Sequence, residues 1–88
     1  MKMEMRHTAL TQFLAALRAE LARLPLTAED RMLVQSDIET IEAQLASSRP
    51  QHAILTAAVR VTKDMLSHSA VSDAVSEELV ALMHRLPV

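Results

Sequence analysis

The chain has 88 residues and a formal net charge of −2, and it contains no Gly, Cys, Trp or Tyr, one Phe and three Pro. Without cysteine it has no disulfide scaffold, no thiolate nucleophile and no cysteine-ligated metal site. Without glycine it has neither a P-loop nor a dinucleotide-binding fingerprint, and one aromatic ring makes no stacking platform for single-stranded nucleic acid.

The composition favours an all-α protein. Alanine and leucine are frequent, whereas the aromatic and β-branched runs that build strands are few. No apolar run approaches the roughly 20 residues that cross a bilayer, and charges at Lys2, Glu4 and Arg6 stand where a signal peptide has its apolar core. With no cysteine and a small negative net charge, we expect a cytoplasmic, bacterial-type protein without nucleic-acid or membrane partners.

Six apolar side chains recur every three or four residues and predict a first helix over residues 8–24. They are Leu10, Phe13, Leu14, Leu17, Leu21 and Leu24, which is the spacing of one helical face. Arg18, Glu20 and Arg23 fall off this face, so we expect them in solvent. Residues 1–7 are expected to be frayed.

Pro25 and Thr27 mark the end of the first helix and the start of a second helix over residues 28–46. Proline lacks an N–H donor and disfavours a helical residue before it. The Thr27 hydroxyl is placed to accept a hydrogen bond from the backbone N–H of Asp30. The side chains expected to face inward are Leu33, Val34, Ile38, Ile41 and Leu45.

A third helix is predicted over residues 51–67, after a break at residues 47–50. Apolar side chains cover almost its whole circumference, and only Arg60, Lys63 and Asp64 form a polar strip. A helix that is apolar nearly all round is buried nearly all round. We therefore expect this helix to be central in the fold or to carry a subunit interface.

Residues 67–72 leave two structures open. Serine favours caps and turns, so Ser72 can cap a fourth helix over residues 72–86. No proline or glycine forces a break, however, and one long helix that continues to Leu86 is the alternative; we favour the break. The connections are short, which favours antiparallel neighbours. The prediction is a single domain over residues 1–88, an all-α antiparallel helical bundle of three to four helices that is completed by dimerisation.

No residue pattern predicts catalysis or a metal site. The histidines have no metal-ligand spacing, and we expect them at the surface or its rim; they are His7, His52, His68 and His84. The serines lie at predicted helix ends and lack the glycines of a nucleophile elbow. We expect no catalytic residue, no metal and no cofactor, and therefore a protein that is not an enzyme.

The preferred hypothesis is a non-enzymatic module for protein–protein interaction and oligomerisation, a homodimer that also holds a protein partner. The third helix carries more apolar surface than its companions can cover, and exposed apolar area favours association. Together with the last helix it supplies the predicted interface, which comprises Ile54, Leu55, Ala58, Val59, Val61, Met65, Leu66, Leu79, Leu82 and Met83.

An acidic face on the second helix supports an alternative function. Asp37, Glu39 and Glu42 lie on the predicted outer side of this helix. They would suit an inhibitor or immunity-type protein of phage and bacterial conflict, which blocks a basic protein partner. Such binding weakens as salt rises, because salt screens exposed charges.

Residues 24–66 combine several short runs: Leu-Pro-Leu-Thr-Ala-Glu-Asp at 24–30, Asp-Ile-Glu-Thr-Ile-Glu-Ala-Gln-Leu at 37–45, Arg49-Pro50, Ile54-Leu55 and Met65-Leu66. This pattern resembles a short helical accessory segment of bacterial conflict and abortive-infection proteins. The resemblance covers about half of the chain. It implies a self-associating or partner-binding module tied to phage defence or its inhibition, and it carries over no catalytic residue.

Overall fold

The described chain is helical apart from short connections. The structure is a computed structural model that describes residues 2–86, with the backbone alone for residues 2–7 and 69. The helices are α1 (Lys2–Leu21), α2 (Ala28–Ala46), α3 (His52–Leu66), α4 (Ser69–Ser72) and α5 (Glu77–His84). No strand forms between residues 2 and 86, so the all-α prediction is confirmed.

The helices share one hydrophobic core. α2 packs along α3, α1 packs against α5 and α2, and α4 packs against α3. All six apolar residues of the predicted α1 stripe are buried, with Phe13 and Leu17 fully enclosed. Val34, Ile38 and Ile41 face them from α2 and are also fully buried. The helical periodicity therefore identifies this part of the core correctly.

α1 begins earlier than predicted. Its backbone is helical from Lys2, so residues 2–7, which were expected to be frayed, belong to the helix. Lysine, methionine, glutamate and arginine are strong helix formers, and no helix breaker lies before residue 8. Met1 lies outside the described residues.

A single arginine closes the turn between α1 and α2. The guanidinium of Arg31 donates to the carbonyl oxygens of Leu21 (2.5 Å), Leu24 (3.3 Å) and Leu26 (3.0 Å). The last carbonyls of a helix have no partners within the helix. From the first turns of α2, Arg31 binds one of these carbonyls, that of Leu21, and two carbonyls of the turn that follows, and the turn needs no glycine. α1 ends at Leu21, earlier than the predicted residue 24.

The predicted boundaries on either side of α2 are present. The Thr27 hydroxyl accepts a hydrogen bond of 3.0 Å from the backbone N–H of Asp30, which confirms Thr27 as the N-cap. α2 ends at Ala46, and α3 starts at His52 after the break at residues 47–50.

The break after α3 is also present, but a different serine caps the last helix. The N-cap of α5 is Ser76, whose hydroxyl oxygen accepts from the backbone N–H of Leu79 at 3.1 Å. Ser72, the predicted cap, instead ends the short α4. Because the cap lies four residues later than predicted, α5 is shorter, and it ends at His84.

Glu20 connects α1 to the start of α5. Its carboxylate accepts from the backbone N–H of Ser76 at 2.9 Å and from the Ser76 hydroxyl at 2.5 Å, and Arg23 forms an ion pair with it at 3.1 Å. Glu20 is only 8% exposed, so the prediction that it lies in solvent is wrong. A buried carboxylate is tolerated when its oxygens are hydrogen-bonded, and these bonds join residues 56 apart in the sequence.

Replacing Glu20 with alanine removes the acceptor of both Ser76 hydrogen bonds and leaves the Ser76 backbone N–H without this partner. We expect the free energy of unfolding to fall by about 1–3 kcal/mol, as measured by urea denaturation. Glu39→Ala is the matched control, because Glu39 is exposed, and we expect it to change stability by less than about 0.5 kcal/mol. Equal losses in the two variants would contradict a specific role for Glu20.

Candidate interaction surface

The large hydrophobic side chains that the described chain leaves exposed lie on α2 and α3. They are Met32 (71% exposed), Leu33 (52%), Ile54 (39%) and Val61 (48%). Apolar area in water costs about 25 cal/mol per Å² relative to buried area. A group of such side chains on two neighbouring helices therefore marks a surface that favours contact with another molecule.

Two contacts define the seam along which α2 meets α3. The backbone N–H of Gln51 donates to the side-chain carbonyl of Gln44 at 2.6 Å. Two turns earlier in α2, the half-buried Asp37 lies beside the buried Thr62 of α3, which acts on its pKa. A residue in the middle of α2 thus lies near a late residue of α3, and a late residue of α2 meets the start of α3.

Three of the exposed hydrophobic residues border this seam. Leu33 lies one turn before Asp37 on the same side of α2, and Val61 is next to Thr62 on α3. Ile54 lies seven residues before Val61, so the two share one side of α3. The prediction that Leu33 faces inward is wrong, because that position lies at the edge of the buried stripe.

Small side chains surround the exposed hydrophobic residues. We call this surface the outer α2–α3 face; its members are Met32, Leu33, Ser36, Ala43, Ala53, Ile54, Ala57 and Val61, all of them exposed. Exposed charges flank it at Glu39, Arg60 and Asp64. An apolar centre with a polar rim is the usual anatomy of a protein–protein interface.

Part of the predicted interface lies in the core of the chain itself. Six of the ten residues are buried within one copy and offer no surface to a second; they are Ala58, Val59, Leu66, Leu79, Leu82 and Met83. These six residues are covered by their own chain, because α2 and the core cover one side of α3 and α1 covers the inner side of α5; their place in an interface stays a prediction. Leu55 and Met65 are half-buried against the core. Ile54 and Val61 stay on the surface.

The structure divides the predicted acidic face into three environments. Glu42 forms a bidentate ion pair with Arg18 of α1, with distances of 2.5 and 3.3 Å. Asp37 is half-buried against α3, and only Glu39 is exposed without an ion pair within the described residues. The three residues thus lie in different surroundings, and the partner-binding role of this acidic face stays a prediction.

Asp37 is a polar group in a largely apolar contact. Its Oδ2 is buried and has no hydrogen-bond partner among the described residues. Burial raises the pKa of Asp37 above its ordinary value, and the neighbouring Thr62 side chain opposes part of this rise. The single proton of the Thr62 hydroxyl is donated to the Ala58 carbonyl oxygen at 2.9 Å, so the Thr62 oxygen is left to accept a hydrogen bond from a neutral donor at position 37. The contact therefore favours a neutral group at this position.

Asp37→Asn places such a neutral donor beside Thr62. Ionised Asp37 lowers stability at neutral pH because its pKa in the folded protein is raised. This loss of stability disappears as the pH falls through the pKa of Asp37 in the folded protein towards the pKa of about 3.9 that an aspartate has in the unfolded chain, because the carboxyl is then neutral in both states. We expect the asparagine variant to be more stable at pH 7 by up to about 1 kcal/mol, with the difference shrinking as the pH approaches 4.

Urea denaturation at several pH values measures this difference, with Glu39→Gln as the exposed control. A pH-independent difference, or a loss of stability at neutral pH, would contradict the interpretation of the Asp37 contact.

The three histidines whose side chains the structure describes do not form a common metal site. His52, His68 and His84 are exposed, as predicted, and the His7 side chain lies outside the described residues. Over the part of the chain that the structure describes, no group of three or more histidine and acidic side chains is placed to hold a metal ion. None of the described helices combines the length and apolar character needed to cross a membrane.

Comparisons with known proteins assign no family to the chain. No protein-family model, no curated protein and no solved structure matches it. The resemblance of residues 24–66 to bacterial conflict proteins therefore stays a prediction.

Proposed function

We propose that the protein is a non-enzymatic helical module for protein–protein interaction and oligomerisation, and that two copies associate through the outer α2–α3 face. In this proposal each copy is an antiparallel helical bundle that the second copy completes. The observation that carries it is that, among the side chains that the structure describes, the exposed large hydrophobic ones lie on α2 and α3. The shared hydrophobic core of the described helices leaves these residues uncovered.

The size of the chain favours a second copy as the occupant of this face. A chain of 88 residues builds a marginal core, and association is a common source of additional burial. A standard interface covers about 800 Å² on each partner, against a total surface of 5772 Å². One side of the molecule can supply that area.

The charges at the rim also suit a second copy. Glu39 and Arg60 are exposed and take part in no ion pair among the described residues. In the proposed dimer a twofold axis passes through the outer α2–α3 face, so that α2 of one copy lies on α3 of the other. Glu39 then lies near Arg60 of the partner subunit. The same patch thus presents both signs of charge, as a self-complementary interface requires.

The acidic-inhibitor alternative loses its main support. It depends on three carboxylates in solvent, whereas Glu42 is paired with Arg18 and Asp37 is half-buried. Glu39 alone is an exposed charge without an ion pair, and one such charge contributes little to binding. We therefore do not propose that function.

Val61→Glu and Leu33→Glu each place a charge in the centre of the proposed dimer interface. Each buried Val or Leu contributes about 1.5–3 kcal/mol and occurs twice in the dimer, so we expect the dissociation constant to rise at least about 100-fold. Sedimentation equilibrium at about 10 μM chain, a concentration that resolves micromolar affinity, should show a dimer for the wild type and a monomer for both variants.

Ala22→Glu is the control, because Ala22 is exposed in the turn after α1 and is not a member of the outer α2–α3 face; it should remain a dimer. All three substitutions are at exposed sites, so the circular-dichroism spectrum should keep its helical form. A monomeric wild type, or dimeric Val61→Glu and Leu33→Glu variants, would refute the proposed function.

A further inference from the structure

An open groove runs between α1 and α5, on a different surface from the outer α2–α3 face. Its volume is about 640 Å³. Gln12, Ala15 and Ala16 form the α1 wall, and the α5 wall contains Ala81 between the charged residues Glu78 and Arg85. The groove exists because alanine side chains are too short to fill the space between the two helices.

The α5 wall carries one charge of each sign at its two ends. Glu78 and Arg85 are seven residues apart, so they lie on the same side of α5 and about 10.5 Å apart along it. Both are exposed, and neither forms an ion pair within the described residues. Ala81 lies between them and is also exposed.

We propose that this groove is a second self-association site, occupied by α5 of another copy in antiparallel orientation. A twofold axis beside Ala81 places Glu78 opposite Arg85 of the partner subunit, and Arg85 opposite Glu78 of the partner subunit. The alanines on the two walls allow the helix axes to approach to about 8 Å, the short end of helix packing distances.

Charge complementarity selects both the occupant and its direction. The antiparallel arrangement makes two ion pairs of opposite sign, whereas a parallel α5 would place like charges together. A partner that lacks this spacing of one acid and one base would leave Glu78 or Arg85 unpaired. The self-complementary pattern therefore fits a second copy of the chain.

This inference does not rest on the proposed function, because the two contacts use different helices. A dimer formed through the outer α2–α3 face would still present two free α1–α5 grooves. Species heavier than a dimer follow when both contacts form. The groove contact is the weaker of the two, because its charged pairs are exposed and screened by salt.

Charge exchange in the Val61→Glu background tests the groove by itself. At about 0.5 mM chain, where millimolar affinity becomes measurable, we expect Val61→Glu to form a dimer through the groove. Adding Glu78→Arg should raise the dissociation constant at least about tenfold, because two attractions become repulsions. Adding Arg85→Glu as well restores both ion pairs with their signs exchanged. The dissociation constant should then return to within about threefold of that of the Val61→Glu variant.

Sedimentation equilibrium measures these masses, and circular dichroism checks that each variant keeps its helices. A Val61→Glu variant that stays monomeric at about 0.5 mM overturns the inference. So does a Glu78→Arg substitution that leaves the dissociation constant unchanged, and so does a double substitution, Glu78→Arg with Arg85→Glu, that fails to restore association. If the outer α2–α3 face is not an interface, Val61→Glu leaves the mass at about 10 μM unchanged, and the charge exchange still reports on the groove.

Discussion

The buried carboxylate of Glu20 joins two parts of the chain that lie far apart in the sequence. The Glu20 carboxylate accepts both hydrogen bonds from Ser76, so the buried carboxylate oxygens have partners and Ser76 is held at the start of α5. That start places Leu79 and the other apolar side chains of α5 on α1, where they complete the core. The inner sides of α2 and α3 are covered by each other and by the shared core, and their outer residues meet water.

Local patterns predict the parts of the fold that depend on neighbouring residues. The α1 stripe and the Thr27 cap both follow from spacings of three or four residues, and both are present in the structure. The cap of α5 is different, because Ser72 and Ser76 are equally good caps by residue type. Glu20, 56 residues before Ser76, decides between them. Within α5, the acids Glu77 and Glu78 in the first turn also favour Ser76 as the cap.

The same limit explains which surface residues are predictable. An apolar residue on a helix can face the core or a partner, and periodicity alone does not tell which side a neighbouring helix will cover. Ile54 and Val61 are predicted interface residues that lie on the surface, whereas Val59 of the same helix is buried in the core. Met32 and Leu33, the α2 half of the exposed group, become recognisable only when α2 and α3 are placed side by side.

The hydrogen bonds of Arg31 have a consequence for how this sequence can change in evolution. A guanidinium is planar and reaches Leu21, Leu24 and Leu26 at once, whereas an ammonium group has no such fixed fork. We therefore expect position 31 and the turn at residues 22–27 to vary together. A homologue without this arginine needs a compensating donor or a glycine in the turn, and alignments of such homologues would show the two changes together.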